Sequence, residues 1–276
     1  GLPRLRRLLS EIIDLNNIPF VISIAGTNGK GSTAAAISAI YAKNSIKVAT
    51  FTSPHILTVH ERMRIDGVNI PSATLLHYIA QLSVVLDQKQ LQLCYFEVCF
   101  VIACMWFSDN NCDVWVIEAG IGGLKDCTNI LDCGLYVLTE VAYDHCAILG
   151  DNLEAIATQK LGLLRPDAIF ICGVNRNLEC ISSALSSHHS LLLQRDFSLD
   201  DSIWRGLGHQ FAVDIPAGIL EKNISLAIAA VISLRHLFAL DTGSINAALQ
   251  AMRLLGRQMQ INFADRRFYL DGSVIH

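Results

Sequence analysis

A glycine-rich segment between a predicted strand and a predicted helix constrains the fold more than any other feature of this chain. Residues 23–42 read SIAGTNGKGSTAAAISAIYA, with an apolar, β-branched run before the glycines and an alanine-rich, helix-favouring run after them. Gly26, Gly29 and Gly31 would let backbone N–H groups approach a phosphate closely, and the start of the helix adds partial positive charge. Lys30 supplies a mobile cation, although Gly31 separates it from the Ser or Thr that usually follows directly. The segment therefore predicts a phosphate-binding loop, and the alternative is a merely flexible turn.

Strands and helices alternate along the chain, as in proteins built on a largely parallel sheet. Apolar runs such as DVWVIEAG and GLYVLTEV are typical of strands that are buried on both faces. The predicted strands cover residues 19–25, 46–51, 113–118, 134–140, 168–172 and 190–194. The predicted helices cover residues 3–15, 32–43, 72–88, 95–108, 152–163, 176–187, 222–238 and 243–252. We therefore predict an α/β fold in which a mostly parallel sheet is flanked by helices.

Composition excludes two classes of partner. A net charge of −4 provides no basic surface for nucleic acid. Although 52% of the residues are hydrophobic, the longest apolar stretch, residues 94–107, is too short to span a bilayer and contains Glu97, so it predicts a buried helix. The nine cysteines include no Cys-x-x-Cys pair, which favours reduced core thiols in a cytoplasmic protein over disulfides or a zinc site.

Polar side chains follow three of the predicted strands. Ser53 and His55 come after the second strand, Glu118 ends the third, and Asp144 and His145 come after the fourth. Ligands of open α/β sheets bind at the carboxyl ends of the strands, which is the edge that also carries the glycine-rich loop. Each residue alone would more often be a cap or a surface group. Three such segments beside a phosphate loop predict a magnesium-nucleotide site.

Six sequence blocks then carry a family resemblance. AGTNGKGST, TSPHI…ERMRIDG, YFE, IEAGIGG..D.TNI, DHCAILGDNLEAIATQKLGLLR and LLGRQMQI occur in the order seen in dihydrofolate synthase and folylpolyglutamate synthase, of the Mur-ligase superfamily. The chain resembles this family over nearly its whole length, and the family's phosphate loop also has Gly after its Lys. The resemblance implies the central domain of a Mur ligase. It also implies ATP-dependent ligation of L-glutamate to dihydropteroate, to folates, or to both, through an acyl phosphate.

The resemblance implies roles for the residues of the predicted site. The residues implied to hold the ATP phosphates are Thr27, Asn28, Gly29, Lys30, Gly31 and Ser32. Lys30, His145 and Lys160 are implied in catalysis. Two magnesium ions are implied, one bound by Ser53 and Glu118 and the other by Glu118 and His145. Lys160 matches a family lysine that carbon dioxide carbamylates, and the carbamate would add an anionic oxygen ligand for metal. The alternative for Lys160 is an ordinary helix-face lysine in a salt bridge.

Contacts to the rest of ATP and to the pterin are also implied by the resemblance. Asn223, Arg257 and Asp271 are the remaining ATP candidates, although Asn223 could instead cap the helix that follows it. The candidate pterin contacts are Cys94, Phe96, Lys125, Asp126 and Cys127. Phe96 would be a stacking ring, and a core aromatic is the alternative. Small-molecule substrates and a monomer are expected.

The chain departs from the family at several places. Leu124 stands where the family has Arg, so the charge there would come from the neighbouring Lys125. Leu255 replaces the family's Pro before Gly-Arg, and after LDG the family's Ala-His-Asn-Pro is absent. We predict an ATP-binding domain over residues 1–253, and over residues 254–276 the hinge and first strand of a smaller C-terminal α/β domain. That lone strand, at 266–271, would lack partners, so it should fray, pair with the main domain, or be ordered only by residues outside this sequence. On this interpretation the quoted chain binds magnesium-ATP but does not ligate glutamate by itself.

Two other interpretations remain open. One is a Mur-type ligase that acts on cell-wall precursors, against which the SPH and DHCAILG blocks argue. The other is a nucleotide-binding pseudoenzyme of the same fold, which Leu124 and the altered tail suggest. The sequence does not decide whether one or both folate activities are present.

Overall fold

An eight-stranded sheet forms the centre of the molecule. The computed structural model describes residues 1–174, 177–252, 259–263 and 266–270, the last two ranges for their backbone only. The strands of the central sheet are β1 (Phe20–Ala25), β2 (Val48–Phe51), β3 (Met63–Ile65), β4 (Val68–Asn69), β5 (Val114–Glu118), β6 (Leu135–Leu138), β7 (Ile169–Cys172) and β8 (Ser190–Leu192). They lie in the order β4-β3-β2-β5-β1-β6-β7-β8. Only β3 and β4, at one edge, run antiparallel to their neighbours, which confirms the predicted parallel α/β sheet.

The position of β1 places its carboxyl end between those of two later strands. β5 and β6 flank β1, with Ile24 paired to Glu118 on one side and Ala25 paired to Leu138 on the other. The loops that follow these three strands therefore leave the sheet side by side. This arrangement is the switch point at which open α/β sheets bind their ligands.

Helices cover both faces of the sheet. They are α1 (Leu2–Ile12), α2 (Lys30–Lys43), α3 (Ser72–Lys89), α4 (Tyr95–Asp109), α5 (Cys146–Leu149), α6 (Leu153–Leu161), α7 (Glu179–Ser187), α8 (Glu221–Ser233) and α9 (Ile245–Ala251). One core layer joins α1, α4, α6 and α7 to the sheet, and the other joins α2, α8 and α9 to its opposite face. The apolar stretch 94–107 lies mainly in the buried helix α4, as predicted. Within the described part of the chain, no helix has the length and apolar character needed to cross a membrane.

Two β-hairpin regions were not predicted from the sequence, although turn residues with positive φ mark both. β3 and β4 are joined by Asp66 and Gly67, both with positive φ, which is the Asp-Gly pair of a tight hairpin turn. A second, antiparallel sheet consists of β9 (Phe197–Asp200), β10 (Ile203–Gly206) and β11 (His209–Ala212). This sheet packs on α8 through the buried Trp204, whose indole N–H donates to the carbonyl of Ser225.

The strand expected at 266–271 does have a partner. β13 (Arg266–Leu270) pairs antiparallel with β12 (Met259–Phe263), so the prediction of an unpaired strand was wrong. Residues 259–263, MQINF, alternate between apolar and polar side chains, which is the period of a strand, so this partner could have been predicted from the sequence. Arg257, Asp271 and the boundary predicted at residue 253 lie outside the described residues.

Candidate active site

The predicted phosphate loop, residues 26–32, joins β1 to α2. The helix begins at Lys30, two residues earlier than expected, and Gly29 precedes it with a φ of 86°. A Cβ atom at Gly29 would collide with the side-chain amide of Asn223, so only glycine fits there. The first N–H groups of α2 have no acceptor within the helix and lie at the loop. The Lys30 ammonium donates to the carbonyls of Gly26 (2.9 Å) and Thr27 (3.0 Å).

The segment after β6 fastens this loop to the sheet. The N–H of Thr27 donates to the carbonyl of Glu140 at 2.8 Å. The Thr27 hydroxyl accepts from the N–H of Ala142 (3.0 Å) and lies 3.2 Å from its carbonyl oxygen. Glu140 also receives the Lys222 ammonium at 2.9 Å, which connects the same segment to the start of α8. The loop is therefore held by groups behind it, and its cleft side stays available.

Glu118 is the buried acid of the site. Its side chain is 3% exposed, and one carboxylate oxygen accepts the N–H of Ser53 at 2.9 Å. The same oxygen lies 3.4 Å from the place that a Cβ atom on Gly31 would occupy, so the carboxylate contacts the phosphate loop. Burial lowers the pKa of the nearby Arg64, and the negative charge of Glu118 opposes this shift. Arg64 donates to the Thr52 hydroxyl at 2.9 Å.

The segment after β6 also carries Asp144 and His145. His145 adopts the left-handed backbone conformation (φ 49°) just before α5, and its Nε2 atom lies 3.6 Å from a carboxylate oxygen of Asp144. The imidazole is partly exposed at the cleft. His55, by contrast, accepts from the Arg62 guanidinium at 2.8 Å.

Lys160 is a buried lysine on α6. Its side chain is 2% exposed. Burial, with a smaller contribution from the charge of Lys30, lowers its pKa to about 8, and the charge of Asp144 opposes this shift. This burial argues against the alternative of an ordinary helix-face lysine. Near neutral pH a fraction of the side chain is an uncharged amine, which is the nucleophilic form.

The donor set suits magnesium shared with phosphates better than a metal held by protein alone. No group of three or more His, Cys, Asp and Glu side chains among the described residues is arranged to hold a metal ion. Magnesium in nucleotide sites commonly uses one or two carboxylates and completes its shell with phosphate oxygens and water. The buried Glu118 carboxylate, in contact with Gly31, fits that pattern.

A single cleft of about 1200 Å³ brings most of the predicted site residues together. We call the part lined by residues 27–32, Ser53 and Glu118 the phosphate-loop end. We call the part bounded by residues 94–97 and by the loop 120–127, of which Leu124 does not itself line the cleft, the far end. The predicted residues that line the cleft are Thr27, Asn28, Gly29, Lys30, Gly31, Ser32, Ser53, Cys94, Phe96, Glu118, Lys125, Asp126, Cys127 and His145. Lys160 and Asn223 do not line it.

The start of α4 forms one wall of the far end. Cys94 precedes the helix, and the carboxylate of Glu97 accepts the Cys94 N–H at 2.8 Å in a capping box. Arg4 of α1 pairs with Glu97 at 3.2 Å. Phe96 packs on Phe51 with ring centroids 5.5 Å apart and also lines the cleft, and its role as a stacking ring stays a prediction.

Asp126 shapes the loop that forms the other wall. One of its oxygens accepts from the N–H groups of Gly120 (3.0 Å) and Ile121 (3.1 Å), and the other accepts from the N–H and hydroxyl of Thr128. Burial raises the pKa of Asp126, and these four hydrogen bonds oppose that shift. Cys127 is buried beside it, and burial raises the pKa of its thiol.

Arg165 holds the same loop from its far side. Its guanidinium donates to the carbonyls of Asn129 (2.6 Å) and Leu131 (3.2 Å) and to the Asp132 carboxylate (2.7 Å). The Asn129 amide in turn donates to the carbonyl of Leu124 at 2.8 Å. The backbone at Leu124 and Lys125 is thus fixed, while both side chains are exposed.

Asn223 does not cap α8. It lies at the third position of the helix, whose capping position is Leu220, and its side chain is buried against Gly29. Its Oδ1 atom has no hydrogen-bond partner within the described structure. An orphaned buried oxygen directly behind the phosphate loop is a feature of the site, and it replaces the capping interpretation.

Comparisons with known proteins agree with the fold described above. No model of a protein family matches the chain. The dihydrofolate synthase/folylpolyglutamate synthase of Haemophilus influenzae is 30% identical over 273 residues, which are 97% of this chain and 61% of that protein. The solved structure of Escherichia coli FolC with DHPP and ADP superimposes with a TM-score of 0.87 at 26% identity, covering 99% of this chain and 66% of that one. The chain belongs to the dihydrofolate synthase and folylpolyglutamate synthase family.

A further member of this family was solved with ligands bound. This bifunctional folylpolyglutamate synthase/dihydrofolate synthase, with Mn, AMPPNP and L-glutamate bound, gives a TM-score of 0.86 at 26% identity, over 99% of this chain and 67% of that one. The chain spans about 61% of the length of the Haemophilus relative.

Several side chains at the cleft or behind it were not predicted from the sequence, among them Arg62, Arg64 and Thr139. Arg62 ends a short 3-10 turn and Arg64 lies in β3, and both line the cleft. The two basic residues of ERMRIDG are the signal that could have identified the pair. Thr139 contacts the phosphate loop from the end of β6, and nothing in the local sequence signals this.

Proposed function

We propose that this chain binds magnesium-ATP in the cleft and forms the ATP-binding part of an enzyme that ligates L-glutamate to dihydropteroate, to folates, or to both. One observation carries the proposal: a glycine-rich loop with Lys30 and the buried acid Glu118 opens onto the same cleft as Phe96 and Lys125. The cleft is large enough for a nucleotide and a second substrate together. Family members solved with ADP, AMPPNP, DHPP and L-glutamate support this assignment.

The phosphate-loop end would bind the triphosphate through backbone groups. The N–H groups of residues 28–32, at the start of α2, would point to the triphosphate. The Lys30 ammonium would exchange its two loop carbonyls for the β- and γ-phosphates. Asn223, behind Gly29, would contact the nucleotide or position the loop. For Arg257 and Asp271, ATP contacts remain part of the proposal on the family resemblance alone.

Glu118, Ser53 and His145 are the proposed protein ligands of magnesium. The metal, when bound, would neutralise charge that develops on the transferred phosphoryl group. Glu118 suits this role because it is buried beside Gly31 and is held in place by the Ser53 N–H. Ser53 and His145 line the same cleft.

The proposed reaction uses both ends of the cleft. A carboxylate of the pteroate or folate attacks the γ-phosphorus of ATP, which forms an acyl phosphate and releases ADP. The glutamate amine then attacks the acyl carbon, and inorganic phosphate leaves as the amide forms and the amine proton is lost. Lys30 would stabilise the charge on the transferred group, and the apolar side chains at the far end would limit access of water to the acyl phosphate.

We also propose that Lys160 is carbamylated. Its uncharged amine would attack carbon dioxide and lose a proton, giving an anionic carbamate in place of a cation. The pKa of about 8 supports this step, because it makes the uncharged amine available near neutral pH. The carbamate would also remove the repulsion between Lys160 and Lys30 and supply an oxygen toward the metal.

The remaining expectations complete the proposal. We propose that the protein acts as a monomer on small molecules. We also propose that it lies in the cytoplasm, which the nine free cysteines support. We also propose that residues 1–253 form the ATP-binding domain and that residues 254–276 begin a second domain.

The test has two parts. Isothermal titration of this chain with magnesium-ATP should give saturable binding at one site, and absence of binding contradicts the nucleotide site itself. Phosphate release is then measured with the longest form of the protein that its gene encodes, with dihydropteroate and then with tetrahydrofolate, each with and without L-glutamate. Release that requires glutamate supports the ligase, and ATP binding without it indicates a pseudoenzyme. Release only with a cell-wall precursor indicates the other type of Mur ligase.

A further inference from the structure

Thr139 contacts the phosphate loop from behind. It follows the last residue of β6, its side chain is fully buried, and its hydroxyl lies 2.6 Å from the carbonyl oxygen of Asn28. The carbonyl of Ala25 lies farther away, at 3.3 Å, and already accepts the backbone N–H of Thr139 at 2.9 Å. A hydroxyl has one proton to donate, so the shorter contact identifies Asn28 as its acceptor.

This hydrogen bond fixes the orientation of one peptide plane of the loop. In a trans peptide, the C=O of Asn28 and the N–H of Gly29 point in opposite directions. When Thr139 holds the carbonyl toward the sheet, the N–H of Gly29 must point toward the cleft. Gly29 has no Cβ to restrict its backbone and sits at a φ of 86°, so its own conformation does not enforce that orientation.

The loop is built to let Thr139 come this close. A Cβ atom on Gly26 would collide with the Thr139 hydroxyl, so Gly26 is required for the contact. The hydrogen bonds from Thr27 to Glu140 and Ala142 continue the same line of contacts. We infer that Thr139 is a positioning residue for phosphate binding, acting through the Asn28–Gly29 peptide. This inference rests on the proposed nucleotide site.

The experiment separates loss of positioning from loss of stability. Dissociation constants for magnesium-ATP and for AMP are measured by titration calorimetry for the wild type, Thr139→Val, Thr139→Ala and Thr139→Ser. The matched control is Thr50→Val, which removes a hydroxyl that is equally buried in the sheet but pairs with Ser38 instead of the loop. Melting temperatures are recorded for all variants.

We expect Thr139→Val and Thr139→Ala to weaken ATP binding roughly three- to tenfold, the range for one lost hydrogen bond. The affinity for AMP, which does not have the β- and γ-phosphates, should fall by less than about twofold in the same two variants. Thr139→Ser, which keeps the donor, should restore the ATP affinity, and Thr50→Val should leave the ratio of the two constants unchanged.

The alanine variant keeps the test decisive if valine packs poorly, because alanine adds no atom at the site. The inference is overturned if the ratio of the ATP to the AMP dissociation constant in both variants equals that of the wild type. It is also overturned if Thr139→Ser does not restore the ATP affinity. Either result leaves the nucleotide site itself intact. If the wild type binds neither nucleotide, the proposed function fails as well.

Discussion

The two ends of the cleft are built in opposite ways. At the phosphate-loop end the functional groups are backbone N–H groups or buried side chains such as Thr27 and Glu118, each held by hydrogen bonds. At the far end, large apolar side chains stand in solvent, among them Tyr95, Ile121 and Leu124. A phosphate has one shape and charge, so a rigid backbone cradle suits it, whereas recognition of a larger substrate depends on side chains that a fixed backbone presents. The first end should therefore be intolerant of substitution and the second tolerant.

Lys30→Ala should cause the largest loss of ATP affinity at the phosphate-loop end. Removing the only lysine of the loop should weaken magnesium-ATP binding by about a thousandfold, within the range for truncating one partner of a hydrogen-bonded charge pair. The melting temperature should change little, because the Lys30 side chain is only part-buried and contacts loop carbonyls instead of the core. Isothermal titration and thermal melts measure the two quantities.

The control for this variant is Lys43→Ala. Lys43 lies in the last turn of the same helix and is exposed, so its loss should leave ATP affinity unchanged. Equal affinity of Lys30→Ala and the wild type would show that the loop does not bind phosphate.

Lys160 should make stability depend on pH. Its pKa is about 8 in the folded protein and 10.5 for a solvated lysine of the unfolded chain, so the unfolded chain holds more protons between these two values. Stability of the wild type in bicarbonate-free buffer should thus rise as the pH increases from 8 to 10.5, by about 3 kcal/mol. Lys160→Met should show no such rise, and urea unfolding at several pH values measures the difference.

The same lysine gives a direct test of carbamylation. In ¹³C-bicarbonate, the wild type and Lys43→Ala should show a carbamate carbon signal by NMR that Lys160→Met does not. The signal should increase as the pH rises toward 8, because only the uncharged amine reacts. A spectrum without that signal at pH 8 would refute the carbamate.

Gly29→Ala should have an intermediate effect. The new Cβ atom would meet the Asn223 amide at a residue with positive φ, so the loop must distort. We expect about 1–3 kcal/mol of destabilisation and about a tenfold loss of ATP affinity.

Gly208→Ala provides the matched control for Gly29→Ala. Gly208 has a φ of 77° with no atom near the new Cβ, so it measures backbone strain alone. It should cost about 1 kcal/mol and leave ATP affinity unchanged. Comparable ATP losses in the two variants would mean that the loop's contact with Asn223 is unimportant.

Leu124→Arg should have the smallest effect on the fold and a selective effect on substrate. The side chain is 44% exposed, so stability should change by less than about 0.5 kcal/mol and ATP affinity should stay constant. If the proposed function holds, the KM for the pteroate or folate, measured by phosphate release with the longest form of the protein that its gene encodes, should fall about threefold, the value of one exposed charge contact. Leu124→Gln, which adds a polar group without charge, is the control, and a KM that is lower in both variants would exclude the charge as the cause.

The sequence predicted the phosphate-loop end well because strand, glycines and helix follow one another in the chain. Gly29, Lys30 and Gly31, which the local pattern named, line the cleft, as do Thr27, Asn28 and Ser32, which the family resemblance implied. The central sheet was predictable for a similar reason, since continuously apolar strands alternate with long helices. The short strands β3, β4 and β9 to β11 contain too few residues for periodicity to identify them, and their signal lies in the turns, such as Asp66-Gly67.

Contacts between distant segments were not predictable from one sequence. Thr139 and Asn28 are far apart in the chain, and the pairing of β1 with β6 alone brings them together. The burial of Lys160 likewise depends on what packs around α6, and its helical spacing does not reveal it. Asn223 looked like a helix cap because Asn is common there, yet the helix starts two residues earlier.

The attachment of the loop at residues 120–132 has a consequence for how such an enzyme can diversify. Asp126 secures this loop through hydrogen bonds from Gly120, Ile121 and Thr128, and Arg165 secures it through the carbonyls of Asn129 and Leu131. The exposed side chains of Leu124 and Lys125 take no part in these hydrogen bonds. Mutations can accumulate there without loss of folding, so selection on substrate choice can proceed independently of selection on stability. An arginine can give way to a leucine at such a position in the course of evolution, and the scaffold remains intact.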